Sequence, residues 1–125
     1  MQVLITRHLT LRPPLEVDAE AITQALSDPT ILRNLSNVPY PYTLDDAHKW
    51  IASSGDDLTY TIHKIGLVGV MTVNRREGRP NLSYWFMRSA WGHGYATEAG
   101  RAVLAHAFRV LKTSRIAACA YGDNP

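Results

Sequence analysis

Residues 91–99 read Trp-Gly-His-Gly-Tyr-Ala-Thr-Glu-Ala, between an apolar run ending near Met87 and a helix-periodic stretch that continues to about Leu111. Strand, glycine-bearing turn and helix in that order leave successive backbone N–H groups without intrahelical partners. They sit at the positive end of a helix dipole, where a phosphate can be held. Gly92 and Gly94 remove the side chains that would keep a bulky anion from the backbone. Charge-assisted bonds from such N–H groups contribute about 1.5–3 kcal/mol each before ordering costs, so several of them can hold a diphosphate without a lysine. An ordinary glycine-bearing helix start is the competing reading of the same residues.

Other chemistry-bearing residues give weaker signals. His93 could approach a phosphate from the turn, or stand as a solvated surface residue. Ser83 lies in a strand, where a serine is more often a small polar face residue. His63 and His106 fall on a strand and a helix without a partner at matching spacing, which favours structural roles. Glu98, in the first helical turn, is placed to complement the dipole and to pair with Arg101 at i+3. No cysteine–histidine cluster suggests a metal.

The elements that must position the turn follow from periodicity and punctuation. Val3 to Arg12 alternates and reads as an edge or half-buried strand, stopped by Pro13-Pro14. Asp18 is placed to cap a helix running to about Ser27, which Asp28-Pro29 ends before a short helical piece at residues 31–35. Pro39-Tyr40-Pro41-Tyr42 forces an extended loop. Thr43-Leu44-Asp45-Asp46 has the form of a capping box, with Asp46 in place of the usual Glu, before a helix through Trp50 and Ile51. Leu58–Lys64 and Leu67–Asn74 flank Ile65-Gly66 as a hairpin. The second of these strands is apolar on both faces and therefore central. Residues 75–80 turn into Asn81–Met87, with Leu82, Tyr84 and Phe86 on one face and Ser83, Trp85 and Met87 on the other. The long helix is expected to bury Ala96, Ala99, Gly100, Val103, Ala107, Val110 and Leu111. Ile116–Tyr121 forms a last strand at a sheet edge, with the chain cut inside a connection, so that a partner chain or a lost segment would cover it.

Length and composition set the frame. With 125 residues, 46% hydrophobic and 19% charged, the chain reads as one soluble globular domain spanning 1–125. No apolar run approaches the roughly 18 residues of a membrane span, and the N-terminus lacks a signal-peptide core. The single cysteine, Cys119, lies in an apolar run and suits a reducing cytosol, hence a cytoplasmic location. The net charge of +2 is unevenly spread. Residues 1–62 hold four basic against eight acidic groups, and residues 63–125 nine against three, so a polyanion would favour the second half. The basic residues are scattered without an aromatic-basic motif, which argues against nucleic acid.

Arg12-Pro13-Pro14 after an alternating strand, Pro39-Tyr40-Pro41-Tyr42-Thr43 before a helix, Tyr84-Trp85 in a strand, and the 91–99 turn together resemble the GNAT acetyltransferases. The likeness is greatest to the RimJ/RimL-type branch, which acetylates ribosomal-protein N-termini and many other amines, and it runs from about residue 5 to residue 125. The resemblance implies an α+β fold (a three-layer GNAT-like arrangement), with a mixed, mostly antiparallel twisted sheet flanked by helices and the C-terminal part missing. The family's phosphate-binding pattern is Gln or Arg, two residues, Gly, one residue, then Gly or Ala. It falls on Trp91, Gly94 and Ala96, with Trp91 where most members carry Gln or Arg. By that resemblance, backbone N–H groups across Trp91, Gly92, His93, Gly94, Tyr95, Ala96 and Thr97 hold the pyrophosphate of acetyl-CoA. The strand at Tyr84, Trp85 and Phe86 pairs its backbone with the pantetheine arm, as an added strand would. Asn124 matches an asparagine near the thioester end. Tyr40 and Tyr42 line the acceptor entrance, or pack on the first helix. The helix and two strands that follow in relatives are absent after Asn124, and the 54–66 stretch is short for the family.

The implied reaction is acetyl transfer to an amine, a protein N-terminus or a small molecule, by direct attack on the thioester. A non-catalytic acyl-CoA-binding module or an inactive fragment is the alternative. Attack needs a neutral amine and donors for the developing oxyanion. An α-amino group with a pKa of about 7.7–8.0 is roughly a tenth neutral at pH 7, whereas a lysine near 10.4 is neutral in about one molecule in 2,500. Relatives often carry a carboxylate near the start of the strand before the turn. Here that stretch is Pro80-Asn81, which modestly favours an acceptor of low pKa or proton loss through ordered water, and no catalytic residue is assigned. A homodimer through the exposed C-terminal edge is the expected self-association.

Overall fold

The computed structural model describes residues 3–32, 35, 38–39, 41–56, 58–74, 80–111 and 116–120. The hairpin at its centre is the one the sequence predicts. Strands β3 (Leu58–His63) and β4 (Leu67–Asn74) pair antiparallel, and the Lys64 N–H donates to the Gly66 carbonyl at 3.0 Å across the turn. Outside them lie β1 (Leu4–Ile5), β2 (Thr10–Arg12), β5 (Asn81–Phe86) and β6 (Ala117–Ala120), in the spatial order β1-β2-β3-β4-β5-β6. The first five run antiparallel in succession; β6 joins β5 in parallel, because helix α4 (Tyr95–Leu111) carries the chain back across the sheet.

The alternation of β4 and β5 decides the layers. Leu82 and Phe86 of β5, with Met71 and Val73 of β4, pack with Tyr60, Ile62 and the Ala99, Val103 and Ala107 stripe of α4. Trp85 and Val70 point the other way, into a second core formed by α1 (Ala19–Ala25), α2 (Pro29–Leu32) and α3 (Leu44–Ser53). β4 is therefore covered on both faces and central, as its unbroken apolar run implies. Thr43 starts α3 by the expected capping box: its Oγ1 accepts from Asp46 N–H at 3.2 Å, and Asp46 Oδ2 accepts from Thr43 N–H at 2.9 Å.

Four local expectations are corrected. Residues 3–12 form two short strands, since the Thr6 N–H donates to the Leu9 carbonyl at 2.9 Å and turns the chain between them. Glu98 holds that turn: its carboxylate accepts from the Thr6 hydroxyl, from His8 N–H at 2.7 Å, and pairs with His8 Nδ1 at 2.7 Å. Glu98 thus pairs across the fold with His8 and not with Arg101 at i+3. Asp18 makes no side-chain cap to α1. Its buried carboxylate instead takes both guanidinium nitrogens of Arg12 at 2.8 Å and the Leu15 N–H at 2.8 Å, with His63 Nε2 at 4.0 Å. At the C-terminal end of α4, Val110 is exposed while His106 is buried beside the Tyr60 ring.

Candidate functional site

From β5 the chain passes through a single 3-10 turn, Arg88–Ala90, and then bends twice. Gly92 has φ +78° and Gly94 φ +76°, a left-handed conformation that side-chain-bearing residues rarely adopt. A Cβ built on either glycine meets nothing within 4 Å, so both face open space. Gly94 serves as the helix cap, its carbonyl accepting from Glu98 N–H at 3.0 Å. Among the described residues, the backbone N–H groups of Gly92, His93, Gly94, Tyr95, Ala96 and Thr97 form no hydrogen bond. Five of these residues, Gly92, Gly94, Tyr95, Ala96 and Thr97, line a small cavity of about 80 Å³ together with Phe86, Ala90 and Trp91. His93 does not line that cavity; it is exposed and stacks on the Tyr95 ring, with centroids 5.3 Å apart.

Trp91 occupies the position where a Gln or Arg is the family pattern, and its indole shows why a tryptophan fits there. Nε1 donates to the Phe86 carbonyl at 2.8 Å, tying the start of the turn to the end of β5. Met87 N–H bonds the Val68 carbonyl at 2.8 Å, so strand alternation turns the polar groups of Phe86 away from β4 and towards the side where Trp91 reaches.

Two charged groups flank the turn, neither of which local sequence signalled as belonging there. Lys64, on the β3–β4 turn, donates to the Tyr95 hydroxyl at 2.7 Å, with its ammonium 5.3 Å from the ring centroid. The contact joins residues 31 apart in sequence, which no periodicity reveals. Arg88 is held by Asp28, Nε to Oδ2 at 2.6 Å, which fixes the 3-10 turn against the start of α2. Burial pushes the Glu98 carboxyl up, but the hydrogen bonds from Thr6 and His8 outweigh it and bring the pKa to about 2. Glu98 is accordingly a neutralised structural anion and not a base.

Across β5 lies a larger cavity of about 360 Å³. Tyr42, Trp50, Tyr84 and Trp85 form aromatic walls, Ile22, Leu26, Leu35, Val38, Pro39 and Val70 aliphatic ones, and Thr72, Ser83, Asp46 and Lys49 contribute polar groups. Tyr42, Tyr84 and Trp85 among the sequence-predicted residues meet here, while Tyr40 and Asn124 lie outside the described residues. Burial, with a contribution from Asp46, pushes the Tyr42 phenol up to about 12, so it is a hydrogen-bond donor at neutral pH. Asp46 lies below the usual carboxylate range because Thr43 N–H and hydroxyl bond it. From sequence Trp50 reads as a helix residue and Ser83 as a strand residue; their meeting in one cavity depends on α3 packing over β5.

β5 therefore separates a donor-rich glycine turn from an aromatic-walled cavity. The acetyltransferase (GNAT) domain family matches residues 8–125. The uncharacterized N-acetyltransferase p20 of Bacillus licheniformis is 27% identical over 136 residues, covering 99% of this chain and 76% of that protein. A GNAT-family acetyltransferase from Bacillus anthracis superposes with TM-score 0.81 at 22% identity, over 94% of this chain and 72% of the other. RimL, a ribosomal L7/L12 alpha-N-protein acetyltransferase solved in complex with coenzyme A, superposes with TM-score 0.79 at 19% identity, over 92% of this chain and 72% of its own. With nearly the whole chain matched by the family and the fold shared with its solved members, this protein belongs to the GNAT family of N-acetyltransferases.

Proposed function

We propose that the chain transfers an acetyl group from acetyl-CoA to an amine that enters the 360 Å³ cavity across β5. The observation that carries this reading is the run of N–H donors from Gly92 to Thr97, bent around open space by two left-handed glycines. Those N–H groups would hold the pyrophosphate. The end of β5, at Trp85 and Phe86, would lie along the pantetheine, where the Phe86 carbonyl is already engaged by Trp91. Asn124 and Tyr40 remain proposed contacts at the thioester end and the acceptor entrance.

The coenzyme supplies an activated acyl carbon; what the chain must supply is position, donors and a dry wall. The amine nitrogen must reach the cavity side of β5 in its neutral form; the new C–N bond replaces the C–S bond, and the proton the nitrogen sheds ends on the departing sulfur, so that CoA leaves as the thiol. Asp46 is a poor acceptor for the ammonium proton, since its own bonds hold it below the usual carboxylate range. That favours amines already partly neutral at working pH. The Tyr42 phenol, kept protonated, offers a donor on the acceptor side.

The test is release of CoA thiol with a panel of amines, alongside calorimetric titration of acetyl-CoA. Binding with thiol release supports the reading. Binding without release for any amine would make the chain a coenzyme-binding module, and no binding would remove the assignment of the glycine turn.

A further inference from the structure

Beside the glycine turn stands a cation that acetyl transfer itself does not require, Lys64 on the β3–β4 turn. Its ammonium makes no ion pair among the described residues, whereas Arg88 is held by Asp28 and His8 by Glu98. Both oxygens of Glu98, the carboxylate in the first turn of α4, are engaged by Thr6 and His8. The Lys64 side chain is exposed but positioned: Nζ donates to the Tyr95 hydroxyl at 2.7 Å and lies 5.3 Å from the ring centroid. Tyr95 is the first residue of α4, is 8% exposed and lines the 80 Å³ cavity of the turn. One phenol thus ties the cation to the cradle of N–H groups. His93 stacks on the same ring, with an interplanar angle of 21°, on the exposed side of the turn.

Acetyl-CoA carries two kinds of phosphate. Its diphosphate suits a cradle of neutral N–H donors, whereas its 3′-phosphate, one ribose away, is a monoester with about −1.5 to −2 charge at pH 7. A cation for that monoester must stand next to the cradle and outside it, as Lys64 does. We propose, on the acetyl-transfer reading above, that Lys64, held by Tyr95, receives the 3′-phosphate of acetyl-CoA and sets the protein against coenzyme that lacks it. The ammonium is a compact point charge that needs no fixed angle of approach. Its tether to the phenol limits the freedom that an exposed lysine would otherwise lose on binding.

Calorimetry on the intact chain compares acetyl-CoA with 3′-dephospho-acetyl-CoA. Acetyl-CoA should bind about tenfold tighter, the scale of one charge-assisted contact. Lys64→Met keeps an apolar stem against the ring without the charge, and should bring the two affinities within about threefold by weakening acetyl-CoA. Lys64→Glu reverses the charge and should favour the dephospho form. Each ratio is taken on one preparation, so loss of folded protein does not alter it. Equal affinities in the wild type, or a wild-type ratio in either variant, overturn the proposal and leave acetyl transfer standing. Binding of neither coenzyme removes the acetyl-transfer reading and this inference with it.

Discussion

Gly94 carries more of the account than any other residue. Its Cβ would meet no protein atom, so substitution costs the fold only the strain of a left-handed φ, about 1–2 kcal/mol. The same Cβ would project into the space where the pyrophosphate is proposed to sit. Gly94→Ala should therefore keep the thermal transition within several degrees of wild type while weakening acetyl-CoA at least about tenfold, as measured by calorimetry. Glu98 is the opposite case, its side chain turned from the glycine bend to the Thr6–Leu9 turn, where it serves the fold. Removing it in Glu98→Ala leaves the Thr6–Leu9 turn without the anion that holds it, at a cost of about 1–3 kcal/mol in urea denaturation. Because its folded pKa of about 2 lies below the unfolded value, the stability it contributes is complete above about pH 4.5 and lost as pH falls towards 2.

At the scale of elements, the Arg12–Asp18–His63 cluster joins β2, the start of α1 and the end of β3. Burial pushes the Asp18 carboxyl up, but Arg12 and the Leu15 N–H hold it below the usual range. Burial, then the Arg12 charge, lowers His63. Asp18→Asn should cost about 3 kcal/mol, since it strands a partly buried guanidinium. For His63 the sign runs downward with acid: the unfolded chain takes up its proton near pH 6.5 and the folded chain only lower. Stability should therefore fall as pH drops from about 6.5, and His63→Gln should flatten that part of the profile in urea midpoints. What sequence revealed and what it hid divides along the same line. The Thr43–Asp46 capping box, the Ile65-Gly66 hairpin and the two-faced alternation of β5 were legible because their causes lie within a few residues. The split of residues 3–12 into two strands was not, because the anion that fixes it stands on α4. The cap role assigned to Asp18 failed for a like reason, Arg12 competing for its carboxylate. In the site, the glycine turn could be read directly, whereas Lys64 at Tyr95 and the meeting of Trp50 with Trp85 needed the packed sheet.

For the whole molecule, the sheet places its glycine turn and its aromatic cavity on either side of one strand, across which coenzyme and acceptor would meet on the proposed reading. A ligand held by the folded state alone stabilises it by about 2.7 kcal/mol at one hundred times its Kd, and acetyl-CoA at that excess should raise Tm by about 10 °C. The most direct test of the central claim is a calorimetric titration of acetyl-CoA with backbone amide shifts followed in parallel. The account predicts saturable binding with the largest shifts at Gly92–Thr97; binding that leaves those amides unmoved, or no binding at all, would contradict it.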